Sequence, residues 1–423
     1  MMKQRHIALF LAFALLLTCL AGCGGQTTVE VRETPAPAET AAPETTDAPA
    51  ETAAPETTEA PAETAAPEET ADPEAEARKA RYQAGYEKFS PNTTVMLVND
   101  EPVSWSDYYS WLYDIASQIE ENYAVTDWNE PRAELTDVVP DTTFGSYVRK
   151  TALGYVVQIA VILQKAKEQG LELSETQRAD LQATIDGYVE RFGGQEKFEQ
   201  LLSESYLTPD YFYRQNEAMV QINNLYAEFY GEKGEKLPEE DAVAYLKDNG
   251  YLYAKHILFK TQDDNREKLS DEVIAEKKAE AEAVLAELQQ CTAEELPQRF
   301  DALMQQYNED PGMLRFPDGY YFHSGEMVPA FESAVVALEG EGLYPELVES
   351  DYGFHIIFCP PMSGTHVMSY DNNGEPYNPK ALASAALFDN MMNGWFEDAE
   401  MGVKYTGDFA DLDLNALFGI ESN

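Results

Sequence analysis

The chain has 423 residues, and this length predicts two folded domains once its tails are set aside. Its formal net charge is −47, with 76 acidic residues against 29 Lys and Arg. A surface with this charge repels the phosphates of nucleic acids and of anionic lipid headgroups, so we expect no nucleic acid partner. The same charge favours solubility and opposes self-association.

The first 22 residues have the pattern of a secretory signal peptide. Two basic residues precede an apolar run over residues 7–20 that is too short for a convincing membrane span. The run closes on Leu20-Ala21-Gly22-Cys23, which resembles the lipobox of bacterial lipoproteins. The resemblance implies that Cys23 is a lipid anchor and that the protein lies at the outer face of the cell membrane. An ordinary cleaved signal, with Cys23 incidental, is the alternative.

Residues 23–78 consist mostly of Ala, Pro, Glu and Thr, with a twelve-residue repeat that begins at Glu39, at Glu51 and, degraded, at Glu63. No unit carries a large apolar side chain, so the segment cannot offset the entropy lost on ordering and is predicted to be disordered. Proline and like-charge repulsion favour extended conformations. We interpret the segment as a tether between the membrane and the folded chain.

Residues 79–247 are predicted to form a mainly helical segment that opens with a hairpin. The turn Asn99-Asp100 separates two short apolar strands at residues 95–98 and 101–103. Capping residues, prolines and glycines then delimit five predicted helices: from Trp105 after the N-cap Ser104, over Phe144–Gln169, from Ser174 to Gly193-Gly194, from Thr208-Pro209 to about Tyr230, and from Pro238 to about Asn249.

The pattern changes over residues 248–361, where strands alternate with helices. Strands are predicted at 251–260 and 353–358, with helices between them at 270–290, 296–307 and 331–338. This order predicts a compact α+β domain. Helical periodicity returns in residues 362–423, chiefly over 381–401. Cys291 and Cys359 are predicted to be unpaired thiols, with a single disulfide between them as the alternative.

Three motifs follow one another through residues 248–361: Ala254-Lys255-His256-Ile257-Leu258, then the run over 325–332, then the strand over 352–357. Together they resemble the parvulin family of peptidyl-prolyl isomerases. The wider layout resembles the extracytoplasmic foldase lipoproteins of Gram-positive bacteria. The implied fold class is α+β, with a compact parvulin-like domain inserted in a mainly helical, chaperone-like domain made of residues 79–247 and 362–423, all preceded by the disordered linker.

The resemblance also implies where a proline would bind. By motif position, Met327 and Phe331 line the proline pocket, with Phe322 beside them. The family's leucine position is Gly319, so one wall of the pocket is either open or supplied by Tyr320. Plain core packing is the alternative for Met327 and Phe331.

Four residues are the candidate catalytic group. His256 and His355 match the paired histidines beneath the family's pocket, Asp310 matches a position that carries Cys or Asp, and Ser350 matches a hydroxyl that supports the second histidine. We expect one hydrogen-bond network and no proton-transfer dyad. Each histidine has the alternative of a satisfied core residue, and Asp310 that of a turn former.

No cofactor and no metal is implied, because the two histidines lack further ligands at metal-binding spacing. His323 and His366 match no motif and are predicted to lie on the surface. The acids Asp263 and Asp264 argue against recognition of phosphorylated residues before proline.

The resemblance implies a membrane-anchored, extracytoplasmic peptidyl-prolyl isomerase and foldase. Its partners would be unfolded or partly folded exported polypeptides with X-Pro bonds, and its catalysis would be non-covalent. One alternative is a weak or inactive holdase of the same fold that binds exported chains through its helical region. A substrate-binding or adhesive surface lipoprotein is a further alternative.

Overall fold

The computed structural model describes residues 73–131, 143–371 and 374–420. The predictions for the signal peptide, for Cys23 and for the tether up to residue 72 lie outside these residues. In the part of the chain that is described, no helix combines the length and apolarity that crossing a bilayer requires.

The described chain up to residue 248 is mainly helical and carries one hairpin. In chain order, its elements are α1 (Pro73–Tyr86), β1 (Thr94–Val98), β2 (Glu101–Ser104), α2 (Trp105–Asn122), α3 (Phe144–Glu168), α4 (Glu175–Arg191), α5 (Gln195–Glu204), α6 (Pro209–Tyr230) and α7 (Glu239–Asp248). The predicted hairpin and the five predicted helices are confirmed to within a few residues. Helix α5 was not predicted, because its N-cap is Gly194, which provides no side-chain cap.

Side-chain caps determine where several of these helices begin. The hydroxyl of Ser104 accepts a hydrogen bond from the backbone N–H of Asp107 at 3.2 Å. Ser174 and Gln177 form a reciprocal capping box at the start of α4. Each cap satisfies backbone donors that the first turn of a helix leaves unpaired, so the sequence signals and the observed helix starts coincide.

Helix α1 corrects the predicted end of the tether at residue 78. It begins at Pro73, because proline suits the first helical turn and the acidic residues Glu74 and Glu76 interact favourably with the helix N-terminus. The helix then buries Tyr82, whose ring meets Phe418 edge-on at 4.8 Å between centroids. Composition alone could not reveal this long-range contact.

The C-terminal segment packs against the N-terminal helices. Its elements are β8 (Ser369–Tyr370), β9 (Pro376–Tyr377), α12 (Pro379–Met401), β10 (Lys404–Tyr405), a 3-10 turn (Phe409–Asp411) and α13 (Leu414–Phe418). Strand β10 pairs with β1, and apolar residues of α12 and α13 join the core formed by α2, α3 and α6. One hydrophobic core therefore contains residues from both ends of the described chain.

The α+β domain lies between these two helical parts. Its elements are β3 (Leu252–Lys260), α8 (Asp271–Leu288), α9 (Leu296–Tyr307), α10 (Gly312–Arg315), β4 (Tyr320–Phe322), α11 (Pro329–Ala337), β5 (Gly342–Leu343), β6 (Val348–Ser350) and β7 (Gly353–Cys359). The strands form an antiparallel sheet in the order β4-β3-β7-β5, with β6 also pairing with β7. The two long strands and three long helices are confirmed, whereas β4 to β6 and α10 were too short to predict.

The two faces of this sheet carry different side chains. Residues such as Ile257 and Ile356 face α8 and α9 and form an apolar core. The alternate residues of the same strands, including His256 and His355, point to the face that carries α11. In the β3–β7 register, Leu258 lies opposite His355, so the two histidines are diagonal neighbours on one face.

Hydrogen bonds hold the α+β domain against the following segment. The Tyr253 hydroxyl donates to the carbonyl of Asp318 and lies 2.6 Å from Nδ1 of His366. The Tyr321 hydroxyl donates to the carbonyl of Ser363 at 2.7 Å. His366 was expected on the surface, and its ring is half-buried at the point where the chain leaves the domain.

His323 was also expected on the surface. Its ring is half-buried and lies 3.9 Å from the ring of Tyr251, measured between centroids. Both histidines have partners that are distant in sequence, so no local pattern indicated their burial.

The β3–β7 pairing depends on the absence of a side chain at Gly353. This residue has φ +146°, and a Cβ there would overlap the Phe259 carbonyl oxygen. We expect Gly353→Ala to destabilise the domain by about 3 kcal/mol, measured by urea denaturation together with hydrogen exchange of the β3 amides.

Gly325→Ala is the matched control, because Gly325 also has positive φ, at +91°, but a Cβ there would meet open space. Its cost should be limited to the backbone conformation, about 1–2 kcal/mol. Equal effects of the two substitutions would contradict this account of Gly353.

Candidate active site

The two predicted histidines meet beneath a cleft. Nδ1 of His256 lies 2.8 Å from Nδ1 of His355, and the rings stack with 5.0 Å between centroids and 14° between planes. Both are buried, with 5% and 3% of their surfaces exposed. Since buried polar groups need partners, this hydrogen bond links the two strands and fixes the orientation of both rings.

Asp310 anchors one end of the pair. Its Oδ2 lies 2.7 Å from Nε2 of His256 and accepts a hydrogen bond from the Tyr320 hydroxyl at 2.8 Å. Its Oδ1 accepts one from the backbone N–H of Gly312 at 2.9 Å. Asp310 is therefore both the turn former and a member of the network.

The surrounding backbone brings Asp310 to this place. The chain before it docks on β3, where the amide oxygen of Asn308 accepts from the N–H of Leu258 and the N–H of Glu309 donates to the Leu258 carbonyl, both at 2.9 Å. These bonds fix the loop against the strand that carries His256. The carboxylate can thus reach His256 from a position far along the chain.

The hydrogen bonds at Asp310 stabilise the ionised form of its carboxyl group. Burial alone would raise the pKa of the carboxyl, but the hydrogen bonds from His256, Tyr320 and Gly312 lower it to about 2. Asp310 is therefore a carboxylate at neutral pH and can only accept. His256 must then donate to Asp310 through its Nε2–H.

Ser350 completes the other end of the network. Its Oγ lies 2.6 Å from Nε2 of His355 and accepts from the backbone N–H of Tyr352 at 3.2 Å. Burial, together with the neighbouring His256, lowers the pKa of His355 to about 3, so this ring stays neutral.

The cleft above the network has a volume of about 350 Å³ and is mainly apolar. Phe331 forms one side and meets His256 edge-on, with 5.3 Å between ring centroids. Ten residues line the cleft: His256, Leu258, Asp310, Tyr320, Glu326, Met327, Val328, Phe331, Tyr352 and His355.

The predicted site residues occupy two layers. His256, His355, Asp310, Met327 and Phe331 line the cleft. The other two are set further back: Ser350 behind His355, and Phe322 behind Phe331, with 6.0 Å between the rings and only 2% of Phe322 exposed.

Sequence reasoning missed four lining residues: Leu258, Glu326, Val328 and Tyr352. Strand alternation would have found Leu258, which is two residues after His256 on the same strand. Glu326 and Val328 flank Met327 in the motif over 325–332, so their adjacency to it was the available signal, whereas the turn that carries Tyr352 reaches the cleft only in the folded domain.

Tyr320 provides the pocket wall that Gly319, at the family's leucine position, cannot provide. Its side chain lines the cleft, and its hydroxyl reaches Asp310. Gly319 itself has φ +128°, and a Cβ there would approach the ring of Tyr253 and the carbonyl of Ala254. Glycine is therefore required by the close approach of this backbone to β3.

Both remaining cysteines are free thiols, as expected, and neither lines the cleft. Burial raises the pKa of Cys359 to about 11. This thiol is therefore protonated and is not an activated nucleophile.

Residues 256–359 match the sequence model of the PPIC-type peptidyl-prolyl isomerase domain, described as a rotamase. The chain carries a parvulin-type peptidyl-prolyl isomerase domain. The matched range runs from the first network histidine to the end of β7, and it contains every member of the network.

Solved structures are similar to a larger part of the chain. PrsA from Bacillus subtilis is 18% identical, covers 62% of this chain and 87% of its own, and has a TM-score of 0.20. PrsA from Bacillus cereus is 17% identical, covers 79% and 100%, and has a TM-score of 0.24. These low scores establish no shared overall fold, so the isomerase assignment rests on the domain match. Among curated proteins, no sequence matches significantly.

The isomerase domain should show a pH-dependent stability that comes from His355. Its pKa falls from an ordinary 6.5 to about 3 on folding, so between these values the unfolded chain binds the additional proton. The stabilisation is complete above pH 6.5 and is lost as the pH falls through this window. We expect the stability difference between the wild type and His355→Gln to shrink by up to roughly 1.4 kcal/mol per pH unit.

Urea denaturation of both proteins between pH 7.5 and 4.5 measures this difference. Comparing them removes the contribution of the many surface carboxylates, which both chains share. A difference that stays constant over this range would show that His355 is not held neutral by the fold.

Proposed function

We propose that this protein is a membrane-anchored, extracytoplasmic peptidyl-prolyl isomerase and foldase that acts on exported polypeptides. The observation that carries the proposal is the apolar cleft bounded by Met327 and Phe331 above the oriented histidine pair. The match of this domain to the isomerase family supports it.

The chemistry needs a binding site rather than a nucleophile. Rotation about an X-Pro bond is slow because amide resonance must be broken, with a barrier of about 18–20 kcal/mol. A cleft that holds the proline ring and fits the twisted amide better than either planar form lowers this barrier. In the proposal, Phe331 and Met327 hold the ring while the rest of the peptide turns.

The network would provide a rigid polar floor for the rotating amide. His256, His355 and Asp310 line the cleft and would contact the substrate, whereas Ser350 and Phe322 act as positioning residues behind them. His355 is neutral and Asp310 is charged, so neither is in the protonation state that proton transfer from the network would need. We therefore assign the network an orienting and electrostatic role.

Anchoring is proposed from the sequence at residues 20–23. The signal peptide would direct export, and lipidation at Cys23 would hold the folded part at the outer face of the membrane through the tether. Such a location gives the isomerase access to chains that emerge unfolded after export.

Phe331→Ala and Met327→Ala test the site. We expect each to lower kcat/KM on an X-Pro peptide by about 10- to 100-fold, since burying a large apolar side chain contributes about 1.5–3 kcal/mol. The measurement is a protease-coupled isomerisation assay. Val336→Ala is the control, because Val336 lies on the same helix α11 but is 54% exposed and outside the cleft.

Full activity of the Phe331→Ala, Met327→Ala double variant would refute the site. Undetectable activity of the wild type, combined with suppression of client aggregation that the same double variant retains, would favour the holdase alternative.

Cys23→Ser tests the anchor. The wild type should partition with membranes and enter detergent, whereas the variant should be released as a water-soluble protein because no thioether can form. Cell fractionation with intact mass measurement follows both. Membrane retention of the variant would overturn the proposed anchor without affecting the isomerase assignment.

A further inference from the structure

Two acidic residues line the cleft of the isomerase domain, and its basic lining residues are histidines rather than Lys or Arg. Asp310 and Glu326 contribute carboxylates, and the ten described lining residues include no Lys or Arg. Lys260 lies two residues beyond Leu258 on the same face of β3, but its Nζ pairs with Asp264 at 3.3 Å. Within the cleft, a bound peptide therefore meets carboxylates but no Lys or Arg side chain.

Glu326 has a defined position at the rim. Its Oε2 accepts a hydrogen bond from the backbone N–H of His323 at 2.7 Å, which closes a tight turn. The same turn is held by Glu332, which accepts from the Ser324 hydroxyl and from the Gly325 N–H. These bonds restrain the Glu326 carboxylate beside the cleft, so less side-chain entropy is lost when it binds a ligand.

The charge of Glu326 is not neutralised by the protein. Within the described ranges it forms no ion pair, and its Oε1 forms no hydrogen bond. Its side chain is exposed, so a cation from the substrate can approach it.

Tyr352 adds an aromatic surface to the same cleft. Half of this residue is exposed, although its backbone is fixed by the bond to Ser350 and by the N–H of Thr261, which donates to its carbonyl at 3.0 Å. An open aromatic ring together with a carboxylate is the combination that binds the apolar stem and charged head of Lys or Arg.

We propose that Glu326 and Tyr352 select X-Pro bonds that have a Lys or Arg next to the proline. This inference rests on the proposed isomerase function and adds the substrate class. Acidic or phosphorylated neighbours are disfavoured, because they would place like charge beside Glu326 and Asp310.

The test is a panel of short peptides that differ only in the residue before or after proline: Arg, Lys, Leu, Gln or Glu. Exchange spectroscopy by NMR reports the isomerisation rate for both positions without a coupling protease. At low salt we expect kcat/KM to be about threefold higher for Arg and Lys than for Gln at one of the two positions, and lowest for Glu. Raising the salt should reduce this difference.

Glu326→Gln should lower the ratio of kcat/KM for the Arg peptide to kcat/KM for the Gln peptide from about three to about one. Glu341→Gln is the matched control, because Glu341 is also exposed but lies outside the cleft. It removes the same charge from the chain, so it separates a local effect from the general attraction of an acidic protein for basic peptides.

The outcomes separate the two proposals. No isomerisation of any peptide would refute the proposed function itself. Activity with equal rates across the panel, or a basic preference that Glu326→Gln leaves intact, would overturn this inference while the isomerase function stands. Loss of the preference in Glu326→Gln but not in Glu341→Gln supports it.

Discussion

The site depends on one buried chain of hydrogen bonds that runs from Ser350 through His355 and His256 to Asp310. Each link is buried or half-buried, so a missing partner would leave an unsatisfied polar group at a cost of about 1–3 kcal/mol. All three links can be satisfied at the same time, because the Asp310 carboxylate accepts and an imidazole can donate through one ring nitrogen while it accepts through the other. The β3–β7 register, the close backbone contact at Gly353 and the turn after Asp310 are the structural conditions for this arrangement.

One face of the sheet contacts the rest of the chain, and the opposite face carries the cleft. Tyr253 and His256 are three residues apart on β3, so strand alternation directs them to opposite faces. Tyr253 and its stacked neighbour Tyr321 contact the segment that leads to α12, whereas His256 lies under the cleft. Fixing the domain to the rest of the chain therefore does not use the surface that a peptide would occupy.

Long periodic elements and capped helix ends could be predicted from the sequence, and elements that depend on distant partners could not. Ser174 with Gln177 signalled the start of α4 because a capping box is a local interaction. Strands β5 and β10 have two residues each and exist only through pairing with β7 and β1, respectively. The same distinction applies to the site. The order of the motifs identified the network residues as candidates, but the position of Tyr352 beside the cleft depends on the folded chain.

The residue that orients the network, Asp310, differs from the residue proposed to select the substrate, Glu326, although both act through a negative charge. The Asp310 charge orients His256 through a direct hydrogen bond, and it also adds negative charge to the cleft. A substitution at Asp310 would therefore change the floor of the site and its charge together. Glu326 contacts neither histidine and is bonded only within its own turn, so its charge can change while the floor keeps its geometry. Substrate preference in this domain can thus vary at the rim without disturbing the buried polar chain beneath it.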